Sequence, residues 1–306
     1  MAGKSRYNDY NSYLRSLFNE RVQKIVIDSG LTCPNRDGSI SSGGCIYCNS
    51  RGSGTGAFSR EESIQQQVEA GKKAMKIRYK ARKFLAYFQS YTNTYTSCEH
   101  LKSMFDKALS SEGMAGMAVG TRPDCVDEEK LDLIASYTAD YLVWVEYGAQ
   151  SVHDRTLALI NRGHTFGSLE RAVEMTRSRG INVCVHVILG LPGEDRGMMR
   201  ETALELGRIG IDGIKIHLLY VVKGTRLETM WRNGAYTCME QNEYVEAVCD
   251  FIERLPENVV IQRLTGDPHP QELVAPWWAE RKSETLGMIR RRLEERDIRQ
   301  GDKRHA

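Results

Sequence analysis

Between residues 21 and 221 the chain alternates six times between short apolar runs and segments with helical spacing, and this rhythm limits the fold more than anything else in it. RVQKIVIDSG, FLAYFQ (84–89), GMAVGT (116–121), YLVWVEYG (141–148), INVCVHVILG (181–190) and GIKIHLLYV (213–221) read as strands rich in β-branched and aromatic residues. Between them lie helical patterns. One starts near Ser59, which can cap it, and keeps Ile64, Val68 and Met75 on one face. CEHLKSMFDKAL, DEEKLDLIASYT, SLERAVEMTRSRG and MMRETALELGRIG follow. Strands that are nearly all apolar are buried on both faces, which is the condition of a parallel sheet with helices packed outside it.

A parallel sheet of this kind is either an open doubly wound sheet or a barrel, and the strand ends decide between them. An open sheet gathers its ligands at one switch point, whereas a barrel builds its site from many strand ends. Here unusual residues follow nearly every strand: Gln89 to Asn93, Gly120 to Pro123, Glu146, and Gly190 to Gly193. The expected fold is therefore α/β, a partial (β/α)6 TIM-type barrel with an appended C-terminal α/β region. Residues 1–20 are expected as an N-terminal cap, 21–221 as the core barrel and 222–306 as the accessory region, with a further strand at 258–264.

Bulk properties exclude several classes. With 41% hydrophobic and 27% charged residues in 306, the chain is globular rather than disordered. No apolar run approaches the roughly 18 residues of a membrane span, and no h-region of a secretion signal stands at the N-terminus. Eight cysteines are too sparse for a disulfide scaffold and fit a reducing, cytoplasmic setting. The net charge of +2 says little, although Lys72 to Lys83 and the C-terminal arginines form basic stretches.

Three of those cysteines crowd into CPNRDGSISSGGCIYC, with eleven residues between Cys33 and Cys45 and two between Cys45 and Cys48. Thiolates converging from a Gly-rich loop select a soft metal centre. Zinc in a structural site takes four protein ligands. A fourth is missing from this loop, and Cys98 or a histidine would have to supply it.

Taken with their neighbours, these residues resemble the cluster loop of radical S-adenosylmethionine (radical SAM) enzymes. The first gap is wider than that superfamily's usual three residues and is similar to its YhcC-like branch. Cys33-Pro34-Asn35-Arg36-Asp37-Gly38, Tyr91-Thr92-Asn93-Thr94-Tyr95, Gly120-Thr121-Arg122-Pro123-Asp124 and Leu264-Thr265-Gly266-Asp267 share that likeness. Glu146-Tyr147-Gly148-Ala149-Gln150-Ser151 and Asn161-Arg162-Gly163-His164-Thr165 also resemble the radical SAM domain of the Elongator catalytic subunit.

The resemblance implies that Cys33, Cys45 and Cys48 bind three irons of a [4Fe–4S] cluster, and that S-adenosyl-L-methionine chelates the fourth. Reductive cleavage of the sulfonium would then give a 5′-deoxyadenosyl radical that abstracts hydrogen from substrate. Tyr47 takes the position near the adenine. Gln89 stands where the family has a Gly-Gly-Glu segment for the methionine amino group. Thr121, Arg122, Glu146 and Gln150 are candidates for the ligand's polar groups, and Arg162 for its carboxylate. Gly190, Leu191 and Pro192 resemble the segment that passes the adenine.

The relatives point to tRNA as partner, at a C5 substituent of a wobble uridine, with flavodoxin or ferredoxin as reductant. The chain after residue 275 shows no counterpart of Elongator's acetyltransferase domain, which argues against carboxymethyl addition by that route. The alternatives are a small-molecule substrate within the same chemistry, or a non-catalytic metal-binding nucleic-acid module. His186, Lys215 and His217 alternate with apolar neighbours and could face the barrel interior or simply be satisfied core residues.

Overall fold

The computed structural model describes residues 5–49, 62–89 and 91–304. Helix α1 (Tyr10–Phe18) precedes strand β1 (Val22–Ile27), and the cysteine loop follows β1. The barrel units are then α2 (Ile64–Tyr79), β2 (Lys83–Phe88), α3 (Cys98–Leu109), β3 (Met114–Thr121), α4 (Glu128–Ala135) and β4 (Leu142–Gln150). A short helix α5 (Asp154–Leu159) and α6 (Phe166–Arg177) lead to β5 (Asn182–Leu189), α7 (Arg196–Arg208) and β6 (Gly213–Leu218). The remainder is β7 (Val221–Val222), α8 (Arg226–Arg232), α9 (Gln241–Ile252), β8 (Val260–Arg263), β9 (Leu273–Ala275) and α10 (Lys282–Glu295).

Seven strands form one sheet in the order β1-β2-β3-β4-β5-β6-β8, and every neighbouring pair is parallel. The six expected strands are all present, and the run at 258–264 extends them by a seventh. The segment read as one long strand to residue 221 divides: β6 stops at Leu218, and β7 pairs instead with β9. Ser59 and Ser90 lie outside the described residues. Helix α2 is capped by Ser63, whose side chain accepts from the Gln66 amide while the Gln66 side chain accepts from the Ser63 N–H, a reciprocal pair worth about 0.5–2 kcal/mol.

The sheet is strongly curled, and one side chain demonstrates it. Neighbouring strands lie about 4.8 Å apart, so in a flat sheet β1 would stand roughly 14 Å from β4 and roughly 29 Å from β8. Lys24 on β1 nevertheless places its Nζ 2.7 Å from Glu146 on β4 and 2.7 Å from Gln262 on β8. Only a sheet rolled into an incomplete barrel allows both contacts.

Each strand alternates between two buried faces, which is why β4 reads as almost entirely apolar. Val143, Val145 and Tyr147 point outward into the main core beneath the helices, while Trp144 joins Tyr87, Ala118 and Cys184 in the lumen. The lower end of the lumen is closed by α1. Tyr10 and Tyr13 set their ring edges against Trp144 at 6.3 and 5.9 Å, and the Ile261 amide bonds to the Asn8 carbonyl at 2.8 Å. The upper end, where the strands terminate, is left for the loops.

Candidate active site

The cysteine loop is anchored by segments far away in sequence. Asn161 adopts a left-handed backbone (φ 53°), which aims its side-chain amide at the Gly44 carbonyl (2.8 Å) and Ser41 Oγ (3.1 Å). In return Asn35 donates to the Asn161 carbonyl at 2.6 Å, and the Ile46 amide donates to the Ile160 carbonyl at 3.1 Å. Ile46 also packs with Leu157, Ile160 and Leu191 in an apolar cluster. The Asn161–Thr165 segment is thus the dock on which the loop rests.

The loop brings its three thiols into mutual electrostatic reach. Burial raises the Cys48 thiol above its ordinary value, and Cys45 and Cys33 raise it further. Donors face the sulfurs: Arg36 Nη1 at 3.5 Å from Cys48, Arg162 Nη1 and Asn35 Nδ2 each at 3.6 Å from Cys45. Such N–H groups hold thiolate charge and tune a bound centre. Cys98, the thiol that could have completed a four-cysteine zinc site, lies instead beside Glu129 of α4. Cys125 feels the field of Cys33, but burial and Asp124 push its thiol up to about 12, leaving it a protonated neighbour. Among the described residues the compact set of ligand atoms within 4.8 Å of one another is Glu146, Cys184 and His186, not the loop cysteines. The three loop sulfurs do not form so compact a set. Three thiols, facing cations and no fourth cysteine in the loop fit a [4Fe–4S] cluster with an open iron.

The other expected residues fall into three groups. Beside the loop, Arg162 is buried, and its Nε donates to the Gly148 carbonyl at 3.1 Å. Arg122 is also buried. It grips Asp124 through two bonds of 2.8 and 2.7 Å and donates to the Arg162 carbonyl at 2.9 Å. Thr121 Oγ1 lies 2.6 Å from Thr94 Oγ1, and Gln89 follows β2 with its amide on the Ile27 carbonyl at 3.3 Å. Gln150 ends β4 at φ 75°, past a bulge. A Cβ at Gly148 would sit 2.8 Å from both Arg162 Nη2 and Gln150 Nε2, so glycine lets these side chains cross the strand there. Tyr47 packs on the Ile46 cluster with its hydroxyl buried and unpartnered; burial and Cys45 hold that hydroxyl in its protonated form.

A second group, Gly190, Leu191 and Pro192, turns over the end of β5. Gly190 (φ 84°) accepts from Tyr236 Oη at 2.9 Å, and a Cβ there would strike Met239 at 2.9 Å. These residues line a cavity of about 590 Å³ shared with α9.

Glu146 stands alone, and here the structure corrects the sequence reading. It is not at a strand end: β4 continues to Gln150, and Glu146 is fully buried in the lumen. Its oxygens take Lys24 Nζ and His186 Nε2 at 2.7 and 2.8 Å, and Lys215 as well. The sequence does not single out Lys24 or Gln262; a lysine inside the largely apolar run of β1 is the available signal. Burial opposes the Glu146 charge, but Lys215 and Lys24 outweigh it and hold the carboxyl well below its usual range. Burial and Lys215 push the His186 imidazole down to about 4, so it remains neutral. With two ammonium groups already on Glu146, the Glu146–Cys184–His186 set repels a cation rather than inviting one.

Fold and loop together define a partial parallel barrel with a three-cysteine loop at its strand ends, whose thiols would hold an iron–sulfur cluster. Residues 33–206 match the radical SAM superfamily and residues 211–295 the Radical_SAM C-terminal domain. The chain is 40% identical to the uncharacterized protein YtqA of Bacillus subtilis, covering 97% of this chain and 92% of that one. It is 36% identical to protein YhcC of Escherichia coli over 95% and 93% of the two chains. A 27% identity to the tRNA uridine(34) acetyltransferase of Methanocaldococcus jannaschii covers 49% of this chain and 28% of that protein. Among solved structures, Elp3 of Methanocaldococcus infernus matches 91% of this chain with a TM-score of 0.71 at 18% identity, spanning 64% of that chain. Methylornithine synthase matches 92% of this chain with a TM-score of 0.53.

The chain belongs to the radical SAM superfamily, within the group that includes YtqA and YhcC. Its cofactors are the [4Fe–4S] cluster and S-adenosylmethionine that the superfamily uses. When bound, these supply reductive cleavage of the sulfonium and abstraction of a hydrogen atom from substrate. The chain's own residues gather and screen the thiolates, seal the lower lumen against water and carry a polar wall beneath the strand ends. No helix among the described residues is long and apolar enough to cross a membrane.

Proposed function

We propose that this radical SAM enzyme acts on tRNA, at a C5 substituent of a wobble uridine. The observation that carries the reading is the sequence match, across 49% of this chain, to a tRNA uridine(34) acetyltransferase. The two segments that resemble the Elongator domain have clear structural duties in this chain: 146–151 contributes to the lumen and the strand end, and 161–165 docks the cluster loop. Exposed cations on α2 and α10 (Lys73, Lys76, Arg78, Arg290 and Arg291) offer sequence-independent phosphate contacts. In this assignment Cys33, Cys45 and Cys48 hold the cluster. Tyr47, Gln89, Thr121, Arg122, Gln150, Arg162 and Gly190 to Pro192 surround S-adenosylmethionine, and Glu146 supports that wall from below. Flavodoxin or ferredoxin supplies the electron.

Two measurements test it. Anaerobic reconstitution should give about four irons per chain and 5′-deoxyadenosine on reduction; one zinc and no cleavage would remove the enzymatic reading. Total-tRNA nucleosides from cells with and without the gene should differ at a C5-substituted uridine. An unchanged profile would remove the RNA substrate and leave the radical chemistry in place.

A further inference from the structure

The lumen beneath the strand ends is rich in hydrogen-bond donors and poor in acceptors. Glu146 is the carboxylate among these lumen groups, and it is already engaged by Lys24, Lys215 and His186. Gln262 spends its oxygen on Lys24, and its Nε2 is left buried without a partner. The indole Nε1 of Trp144 and the Nε2 of His217 are likewise buried and unpartnered. Native proteins rarely leave such groups unsatisfied, and each one asks what completes it.

Arg263 adds a free cation to this wall. It ends β8, where the register against β6 shifts: Ile214 faces Ile261, but Lys215 faces Arg263. The extra residue of this bulge lets Arg263 join the lumen directly after Gln262, and re-aiming a side chain is what bulges beside sites do. Arg263 is half-buried, and its side chain makes no hydrogen bond or ion pair among the described residues. Its charge acts on Tyr87 of β2, His186 of β5, Lys215 and His217 of β6, and Tyr220 just beyond β6, in keeping with its place beside Lys215 in the sheet. His217 stacks obliquely on His186 at 5.5 Å. Both imidazoles are held neutral by burial and by the surrounding cations, so neither adds to the positive charge and His217 keeps a ring nitrogen to offer. Lys24, Lys215 and Arg263 outnumber the single carboxylate of Glu146.

We propose that the substrate carries an oxyanion, a carboxylate or a phosphate, and seats it against Arg263 and His217 on the lumen wall. A planar guanidinium without a carboxylate partner matches either group bidentately, and an acceptor beside His217 would satisfy its orphaned nitrogen. The inference rests on reading the lumen as the substrate cavity of the reaction proposed above. It narrows the substrate to one whose reacting part lies close to a negative charge.

The test uses the cluster-loaded full chain labelled with ¹⁵N-histidine, the His217 signal being identified by its loss in His217→Phe. Acetate and inorganic phosphate are titrated in turn. A saturable shift of the His217 imidazole is expected. It should weaken at least about tenfold in Arg263→Gln, as befits loss of a charged hydrogen bond, and survive in part in Arg263→Lys. Arg263 has no partner to orphan, so both variants should melt with the parent. Preference for acetate identifies a carboxylate and preference for phosphate a phosphate group; either supports the proposal. No saturable shift, or equal binding by Arg263→Gln, overturns it. So does displacement of acetate by S-adenosylmethionine whose own binding weakens in Arg263→Gln, because the wall would then serve the cofactor. An unchanged tRNA profile with intact anion binding would reject the RNA and leave this site standing.

Discussion

Replacing Glu146 by glutamine removes the one negative charge that Lys24, Lys215 and His186 share while preserving shape. Breaking a buried ion pair by deleting one partner costs about 3–5 kcal/mol, because the remaining charge is stranded. The two lysines will not suffer equally. Lys215 is already pushed down to about 7 by burial and by Lys24 and Arg263, against the upward pull of Glu146. It can therefore shed its proton at neutral pH for little. Lys24 is held above its ordinary value chiefly by Glu146, and it bears most of the loss. The midpoint of thermal unfolding should fall by roughly 6–20 °C at pH 7, taking about 2–4 °C per kcal/mol for a chain somewhat smaller than this one. The deficit against wild type should shrink between pH 7 and 9 as the stranded lysines deprotonate. Urea unfolding of the parent, Glu146→Gln, Lys215→Met and the double variant reads these quantities, and the double should be less destabilised than the sum of the singles. A loss below about 1 kcal/mol, or one that ignores pH, would show that the lumen is wet enough to screen these charges and would refute the reasoning.

Further outcomes concern the loop and the pH profile. Cys33→Ala, Cys45→Ala and Cys48→Ala should each lose the iron–sulfur absorbance after anaerobic reconstitution, with a fold unchanged by circular dichroism. Asn35→Ala removes the bond to the Asn161 carbonyl, and should speed loss of iron to a chelator several-fold while shifting the melting midpoint by no more than a few degrees. Gly148→Ala places a Cβ against Arg162, so the guanidinium must leave Cys45; the reduction potential of the reconstituted cluster should move, and an unmoved potential would show that Arg162 does not act on it. Stability should rise with pH in two windows. His186 is depressed to about 4 and Lys215 to about 7, so between those values and the ordinary 6.5 and 10.5 the unfolded chain holds the extra proton, and raising pH favours the fold. Lys215→Met should flatten the upper rise, as read by urea unfolding across pH 7–10.

The repeating units and the cysteine loop were legible because both are local patterns: an apolar run between helix signals, three thiols within sixteen residues. What escaped was set by the curl of the sheet. Val260 to Arg263 read as a strand, yet nothing within that run says it pairs with β6, more than forty residues earlier. Glu146 reads as a strand end because it closes the apolar run VWV; the strand in fact continues through a bulge to the left-handed Gln150. Lys24 stands out in β1 only as a lysine in a largely apolar run; its role depends on two strands that meet it only once the sheet has rolled. The role of Asn161 and Arg162 as the dock for the cluster loop depends on contacts spanning 117 residues, and no periodicity reveals those.

That long span also orders events in time. A ribosome adds about 5–20 residues each second, so the cysteine loop waits on the order of ten seconds before the segment that steadies it is made. The barrel floor waits longer still, because the Asn8 amide rests on the Gln300 side chain, 292 residues away. During synthesis the thiols are available before they are sheltered, and the lumen is sheltered last of all. An iron–sulfur donor would therefore meet an accessible loop on a half-made chain. The finished protein presents the same cysteines braced by Asn35, Arg36 and Arg162.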